Sequence, residues 1–379
     1  MIQTNEPKGP LAGLNVLDFG HYYAGPAAAM HLADQGANVI RIAKPGDPEL
    51  PQHQYRVFNR NKKLLTLNLK KAEDKAIAES LIKKANILIE NFRPGVMKRL
   101  GLDYERVKEL NPSLIYLSLP GFASTDKERA HIQAWEGILS AATGIYRDYS
   151  MVREKLNYPP LYTPLAHCSM YGAAHGVVAV MAALIAREDH GYGTLLEVPL
   201  VDTGIAGLSP LFTFRTPGKS DQRSAIETVG TNPYSYCPED SESTRDEKLY
   251  KALSGGCEPF LTADGRHFVV AGGMSGVGPW ERFFDALGIG DQLKREGFII
   301  APWRPEFDNN VIGLMSTERQ QRFNELMREA IAGKTAADWE QKLWYLSAAT
   351  VCTREEFMAK APMVSSGVLA TMTDGHSEL

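Results

Sequence analysis

The sequence predicts an α/β protein whose larger domain is a doubly wound parallel sheet. Residues 14–44 read as strand, tight loop, helix and strand, which is the pattern of a βαβ unit. Short apolar runs then alternate with helical patterns as far as residue 118. The length of 379 residues, with 44% hydrophobic and 23% charged, leaves room for two domains and a large buried core.

The βαβ unit at the N-terminus has clear boundaries. An apolar strand over 14–19 leads into a short loop, Pro26 can open the helix, and Gly36 follows its end before the strand 38–42. The loop faces a helix N-terminus, where free N–H groups and the helix dipole favour a phosphate-bearing ligand. The loop lacks the three-glycine dinucleotide fingerprint, and Lys44 follows the second strand where an acidic residue would bind ribose. NAD binding is therefore disfavoured, and a plain βα turn is the structural alternative.

Hydrophobic periodicity predicts the other elements of this domain. The expected strands cover 64–69, 87–89, 114–118 and 195–198, and the expected helices cover 71–85, 96–100, 104–110, 132–145, 167–186 and a stretch from 200. The polar turn 90–95 follows a buried strand, and open parallel sheets bind ligands at the carboxyl ends of their strands. Residues 52–63 are polar and basic, which fits either a phosphate-facing edge or a solvated loop.

A change of composition after Phe214 divides the chain into domains. We assign 1–214 to a large ligand-binding domain, 215–231 to a linker, 232–324 to a smaller α+β domain and 325–379 to a C-terminal segment. The smaller domain contains a predicted hairpin over 260–270 with an Asp-Gly turn, followed by a helix over 279–287. Further amphipathic helices are predicted over 316–332 and 335–346.

Composition and charge exclude several classes of function. The formal net charge of −4 gives the chain no general attraction to nucleic acid or to an anionic membrane. The four cysteines are widely spaced, so neither a disulfide framework nor a metal is expected, and a reducing, cytoplasmic setting fits. The apolar run 172–186 falls short of a bilayer span and reads as a buried helix. Residues 1–10 contain no apolar signal-peptide core.

Four segments carry a resemblance to a known family, and they are residues 10–42, 59–70, 87–122 and, more faintly, 260–271. They resemble the family III CoA-transferases, which include formyl-CoA and carnitine CoA-transferases and a branch of α-methylacyl-CoA racemases. The resemblance implies a Rossmann-like large domain, a smaller domain, and two chains interlocked as a homodimer. It also implies that the C-terminal segment returns to the large domain. Relatives usually continue with another strand-like segment after the position of Leu379, which suggests either a truncated chain or a longer or paired assembly.

The resemblance implies an acyl-CoA site on loops at the strand ends, with coenzyme A carried as part of the substrate and a small carboxylic acid as acceptor. The residues expected to contact the nucleotide, its phosphates or the pantetheine arm are His21, Tyr22, Ala24, Lys44, Leu67, Lys70, Asn91, Phe92 and Arg99. CoA needs cations and helix N-termini for its phosphates, apolar flanks for adenine, and amide-like partners for its arm. Structural alternatives exist: His21 could bond its own backbone, and Arg99 could favour a helix C-terminus.

The family's chemistry depends on an aspartate carboxylate that attacks the acyl-CoA thioester. The matching segment, 165–172, contains no acidic residue, and the aspartate position falls on His167 or Cys168. His167 could act as a general base and Cys168 could accept an acyl group, or the two could cap and pack a helix. Glu136 is another departure, because a small residue is usual there in relatives.

Three functions are therefore open. The first is a CoA-transferase that moves CoA between carboxylic acids by an altered route. The second is a CoA-binding partner subunit without its own chemistry, in a hetero-assembly with another family member. The third is an acyl-CoA racemase or isomerase, in which a base removes the proton next to the thioester carbonyl and for which His131 is a loose candidate.

Overall fold

A six-stranded parallel sheet is the framework of the N-terminal part of the chain. In the computed structural model its strands are β1 (Asn15–Asp18), β2 (Asn38–Ala43), β3 (Lys62–Thr66), β4 (Ile87–Glu90), β5 (Ile115–Ser118) and β6 (Leu195–Glu197). Their spatial order is β3-β2-β1-β4-β5-β6, and each neighbouring pair is parallel. This is the predicted doubly wound sheet. Its order reverses at β1 and β4, which places a crevice at the carboxyl ends of those strands.

The structure describes residues 9–47, 53–148, 162–208, 259–270, 277–298, 317–345 and 348–359. The chain forms two units, Met1–Thr213 and Phe214–Leu379. The predicted linker over 215–231 lies outside the described residues.

Helices cover both faces of the sheet. In the described part of the first unit they are α1 (Ala24–Asp34), α2 (His53–Phe58), α3 (Ala72–Ile82), α4 (Val96–Leu100), α5 (Tyr104–Leu110), α6 (Glu136–Ala142), α7 (Ile145–Asp148), α8 (His167–His190) and α9 (Leu200–Gly207). Gly36 has φ +95° just after α1, which ends this helix where the sequence predicts. The single helix predicted over 132–145 is wrong in extent, because Gly144 with φ +85° separates α6 from α7.

Alternate residues of the central strands face opposite layers of helices. Val16, Ile87 and Ile89 pack in one buried cluster with residues of α1 and α8. Leu17 and Leu88 pack in another buried cluster, with residues of α3 and α5. Because both faces are covered, these strands read as continuous apolar runs rather than as alternating ones. The core therefore fixes the sheet edge from which the loops project.

The long helix α8 is held close to the sheet by its small residues. A Cβ added to Gly176 would press on the side chains of Leu117 and Leu119, and one added to Gly172 would overlap Leu200 of α9. By length and composition α8 could cross a membrane, but part of it is buried in this unit as a core helix. The same packing brings the N-terminus of α8 to the carboxyl end of the sheet.

The basic stretch 52–63 turns into the protein at its end. The Lys62 ammonium lies 2.8 Å from Oδ2 of Asp18 and donates a hydrogen bond of 2.7 Å to the carbonyl of Pro26. Burial lowers the pKa of Lys62, while the Asp18 carboxylate acts in the opposite direction. Lys62 therefore belongs neither to a phosphate-facing edge nor to a solvated loop, which were the two predicted alternatives. Its buried ammonium group instead links β1, α1 and β3 inside the fold.

The second unit contains a three-stranded antiparallel sheet in the order β7-β8-β9. Its described elements are β7 (Pro259–Leu261), β8 (His267–Val270), α10 (Val277–Leu287), α11 (Gly290–Arg295), α12 (Thr317–Ile331), α13 (Ala336–Lys342), β9 (Ala348–Thr350) and α14 (Arg354–Met358). Strands β7 and β8 form the predicted hairpin, and Gly265 in its turn has φ +73°. Phe268, Phe283 and Trp339 meet in one buried cluster.

The C-terminal segment contributes a strand and a helix to the second unit. The resemblance implies that residues 325–379 return to the large domain, but β9 pairs with β8, and Trp339 of α13 packs in the core of the second unit. Antiparallel strand pairing and burial of a large aromatic ring both fix where a chain segment lies in the fold. The described residues of 325–350 therefore take part in the sheet and core of the second unit. The expected return of 325–379 to the large domain stays a prediction, and 360–379 lie outside the described residues.

Candidate active site

A cavity of about 540 Å³ opens at the carboxyl ends of the first unit's central strands. The loops after β1, β2 and β4 form one part of its wall, and the N-terminal residues of α6, α8 and α9 form another. Its lining includes His21, Tyr22, Tyr23, Ala24, Lys44, Asn91, Phe92, Arg93, Trp135, Glu136, Tyr162, Ser169 and Leu200. Its place at the switch point of the sheet is where open α/β sheets bind their ligands.

The loop after β1 is fixed to the end of β4 by one side chain. Oδ1 of Asn91 accepts a hydrogen bond from the His21 backbone N–H at 2.7 Å, and its Nδ2 donates to the His21 carbonyl at 2.9 Å. Gly20 in the loop touches Gly25 in the first turn of α1, since a Cβ on either would collide with the Cα of the other. Tyr22 has φ +60°, a left-handed conformation that is uncommon outside glycine and costs free energy. The loop is thus pre-formed at the cavity wall.

Aromatic rings form much of this wall. The ring centroids of His21 and Phe92 are 5.2 Å apart, and those of Tyr22 and Trp135 are 4.4 Å apart with the rings edge to face. Tyr162 also lines the cavity. Flat, largely apolar surfaces with a few polar groups are typical of sites for cofactors and small molecules.

A buried carboxyl group supports the turn that carries Asn91 and Phe92. Glu90, at the end of β4, is 5% exposed, and its Oε2 accepts a hydrogen bond of 2.7 Å from the Phe92 backbone N–H. Burial raises the pKa of Glu90 to about 7, against the effects of hydrogen bonds from the Ser118 side chain and the Phe92 N–H. The conformation of this wall therefore depends on a group that titrates near neutral pH.

A second cavity, of about 460 Å³, is cationic. It lies between the end of the loop after β3, the start of α3 and the end of α4, and its lining is Leu69, Lys70, Lys71, Ala72, Lys75, Arg99 and Leu100. Several cations beside a helix N-terminus form a suitable environment for phosphate groups. Helix α4 borders both cavities, because Val96 lines the first while Arg99 and Leu100 line the second.

At the N-terminus of α8, the predicted catalytic residues His167 and Cys168 are not the ones that line the first cavity. Cys168 is fully buried, and burial together with the nearby Glu136 carboxylate raises its pKa to about 12. A thiol in this environment stays protonated at neutral pH and is a poor nucleophile. His167 is the first residue of α8 and is half-buried, and neither it nor Cys168 lines the two cavities described above.

Glu136 and Ser169 line the cavity beside this helix end. Oε1 of Glu136 accepts a hydrogen bond from the Cys168 N–H at 2.8 Å. Oε2 accepts from the Ser169 N–H at 3.0 Å and from the Ser169 hydroxyl at 2.6 Å. The carboxylate thus satisfies the first donors of α8. In the sequence Glu136 stands out only as an acidic residue at a position where relatives usually have a small one. Its contact with α8 is not apparent there, because this helix begins far along the chain.

The predicted binding residues fall into three groups. Six of them line the first cavity: His21, Tyr22, Ala24, Lys44, Asn91 and Phe92. Lys70 and Arg99 come together at the second cavity. Leu67 is 4% exposed and belongs to the core between the sheet and α3, so its side chain is not available to a ligand in this structure. Among the described residues, no group of three or more His, Cys, Asp or Glu side chains is placed to hold a metal ion.

Comparison with known proteins identifies the class to which this fold and site belong. The model of CoA-transferase family III matches residues 11–379, and the chain therefore belongs to this family.

Among similar proteins, the CoA-transferase/lyase DddD of Marinomonas sp. (strain MWYL1) is 34% identical over 344 residues, which are 87% of this chain and 40% of that protein. The acetyl-CoA:oxalate CoA-transferase of Acetobacter aceti is 37% identical over 232 residues, 58% of each chain. The chain thus spans less than two thirds of the length of these relatives.

Solved structures agree on the fold. The hypothetical protein Rv3272 from Mycobacterium tuberculosis matches with a TM-score of 0.71 and 23% identity, covering 95% of this chain and 89% of that one. A CAIB/BAIF family protein from Brucella suis matches with a TM-score of 0.67 and 21% identity, covering 95% and 88%.

Proposed function

We propose that this chain binds an acyl-CoA across helix α4 and takes part in moving CoA between carboxylic acids. In this reaction the acyl-CoA thioester bond breaks, the acceptor carboxylate becomes a new thioester, and the donor acyl group leaves as a carboxylate. The membership of the chain in CoA-transferase family III supports this class of reaction. Two relatives are named for CoA transfer to oxalate from acetyl-CoA and from formyl-CoA.

The observation that carries the proposal is the pairing of two unlike cavities on either side of one short helix. Lys70 and Arg99 in the cationic cavity suit the phosphates of the CoA nucleotide. Asn91 and Phe92 in the aromatic cavity suit the neutral pantetheine arm and the thioester that follows it. A molecule with an anionic head and a long uncharged arm matches this arrangement.

The transfer chemistry of the family needs a carboxylate nucleophile. Glu136 contacts the predicted position, but its carboxylate already accepts hydrogen bonds from Cys168 and Ser169. Cys168 itself is fully buried. These contacts favour the second candidate, a CoA-binding subunit that depends on another family member for turnover. His131 is exposed and lies outside both cavity linings, so the racemase alternative gains no support among the described residues.

Calorimetry on the full chain with Arg99→Ala tests the binding proposal. Removing a cation that meets a phosphate should weaken CoA binding about tenfold or more, because hydrogen bonds to charged groups contribute roughly 1.5–3 kcal/mol. Arg106→Ala is the matched control, since Arg106 is an exposed arginine on the next helix, beside Glu79 and Glu109. No measurable CoA binding by the wild type, or equal losses in both variants, would contradict the proposal.

A transfer assay separates the two candidate functions. Purified chain is mixed with an isotopically labelled acyl-CoA and a panel of carboxylic acids, with and without a second family III protein. Label exchange by the chain alone supports a transferase, whereas exchange only in the mixture supports a partner subunit. The homodimer stays a prediction, which sedimentation at micromolar concentration would check.

A further inference from the structure

The cationic cavity holds more positive charge than a single diphosphate requires. Its lining contains Lys70, Lys71, Lys75 and Arg99 and no acidic residue. Within the described part of the chain, none of these four side chains forms an ion pair or donates a hydrogen bond. Like charges gathered without counter-charges repel one another, so this set indicates an anionic ligand of comparable charge.

Lys75 is the cation whose position the fold fixes most clearly. Its side chain is half-buried, and its ammonium lies directly over Gly101 at the end of α4, where an added Cβ would overlap it. Glycine leaves this space open, and its φ of +68° is a conformation that glycine adopts readily. The contact brings a cation of α3 to the end of the helix that carries Arg99, so both charges border the same cavity.

The start of α3 adds backbone donors to this wall. The N-cap residue of this 11-residue helix is Lys71, whose side chain makes no capping hydrogen bond. The carboxylate of Asp74 accepts a hydrogen bond from the Asn68 N–H at 2.7 Å, so it serves the preceding loop, and neither it nor Glu73 lines the cavity. A helix start that no side chain caps, beside several cations, favours a phosphate group.

The charge of CoA matches this set only when its 3′-phosphate is counted. The diphosphate carries about two negative charges, and a phosphomonoester such as the 3′-phosphate adds roughly 1.5 to 2 more at pH 7. Lys70 and Arg99 suit the diphosphate, which leaves Lys71, Lys75 and the start of α3 for a third phosphate. Dephospho-CoA lacks this group, and so does phosphopantetheine attached to a carrier protein.

We propose that Lys71 and Lys75 form a subsite for the 3′-phosphate of CoA, so that this chain selects thioesters of complete CoA. Thioesters of dephospho-CoA, and of phosphopantetheine on a carrier protein, are then poor ligands. This inference rests on the proposed function, since it assumes that the CoA nucleotide enters the cationic cavity. Neither lysine is among the binding residues that the family resemblance implies.

CoA and dephospho-CoA, which differ only in the 3′-phosphate, test this proposal. Calorimetry with the full chain at about 0.1 M salt gives both dissociation constants. We expect the wild type to bind CoA about tenfold or more tightly than dephospho-CoA, because charge-assisted hydrogen bonds to the phosphate are lost. Lys75→Met keeps most of the apolar stem and removes the charge. It should bring this ratio below about threefold while changing the affinity for dephospho-CoA little.

Lys83→Met is the matched control. It makes the same change at an exposed lysine on the other end of α3, where salt screens its effect on the cavity, and it should preserve the ratio. Lys71→Met is the second variant of the subsite. Because Lys71 is exposed, this change should leave the protein folded even where Lys75→Met does not, and it should also lower the ratio.

The outcomes are distinct. Equal binding of CoA and dephospho-CoA by the wild type overturns the proposal and leaves the proposed function intact. An unchanged ratio in folded Lys75→Met and Lys71→Met proteins, or equal losses for both ligands, also overturns it, because a general loss of positive charge does not distinguish the two ligands. Failure of the wild type to bind CoA at all removes the proposed function together with this inference.

Discussion

Replacing Glu90 with glutamine should remove a pH dependence from the stability of the first unit. The Glu90 side chain is buried at the end of β4, and it accepts a hydrogen bond from the Phe92 N–H that a glutamine oxygen can also accept. Burial raises the pKa of Glu90 from its ordinary value of 4.5 to about 7 in the folded protein. The unfolded chain keeps the ordinary pKa, so the two states bind different numbers of protons between these values.

The sign and size of the effect follow from this difference. Between pH 4.5 and about 7 the folded protein retains a proton that the unfolded chain has released, so stability falls as pH rises through this range. Each pKa unit corresponds to about 1.4 kcal/mol, which gives a total loss of about 3 kcal/mol. The stabilisation is fully present below pH 4.5 and is lost above about pH 7.

Urea unfolding of both proteins at several pH values between about 5 and 8 measures this contribution. The free energy of unfolding of Glu90→Gln, minus that of the wild type, should rise by about 2 to 3 kcal/mol across this range. Ile89→Val is the control, because it costs roughly 0.5–1.5 kcal/mol in the same buried strand and adds or removes no proton. A difference for Glu90→Gln that stays flat within about 0.5 kcal/mol would refute the reasoning.

Three further predictions concern buried groups. Iodoacetamide at pH 8 should modify the half-exposed Cys352 and spare Cys168, whose burial raises its pKa to about 12; peptide mass mapping showing equal rates would contradict this. Lys62→Met should cost up to roughly 3–5 kcal/mol in urea unfolding, because it removes the cation 2.8 Å from the buried Asp18 carboxylate and leaves Arg41, at 3.8 Å, beside it; Asp18→Asn should recover part of the loss. Trp339→Ala should destabilise the second unit by roughly 3–5 kcal/mol, and a loss below about 1 kcal/mol would argue against its place in the core.

Local patterns explain which parts of the fold were predictable. The apolar runs around Val16 and Ile87 identify strands buried on both faces, and Gly36 marks the end of α1, because these signals lie within a few residues of one another. The Asp-Gly turn with Gly265 identifies the hairpin for the same reason. Their alternation with helices is enough to predict the parallel sheet.

Contacts between distant residues explain what the sequence does not reveal. Lys62 resembles part of a solvated or phosphate-facing stretch, because its partner Asp18 lies 44 positions away in the sequence. In the sequence Glu136 looks like an isolated departure from the family pattern, because the residues that donate to it, Cys168 and Ser169, lie 32 and 33 positions further on. Periodicity carries no information about such pairs. The expected binding residues can be named only through family resemblance, and the burial of the Leu67 side chain is a packing feature that this resemblance does not indicate.

A crystal structure of the full chain with saturating CoA would show whether CoA binds across helix α4. We expect CoA phosphates within hydrogen-bonding distance of Lys70 and Arg99, with the pantetheine arm passing Asn91 and its sulfur in the cavity beside Glu136. Density for the nucleotide at any other surface, or an empty cationic cavity at saturating CoA, would contradict it.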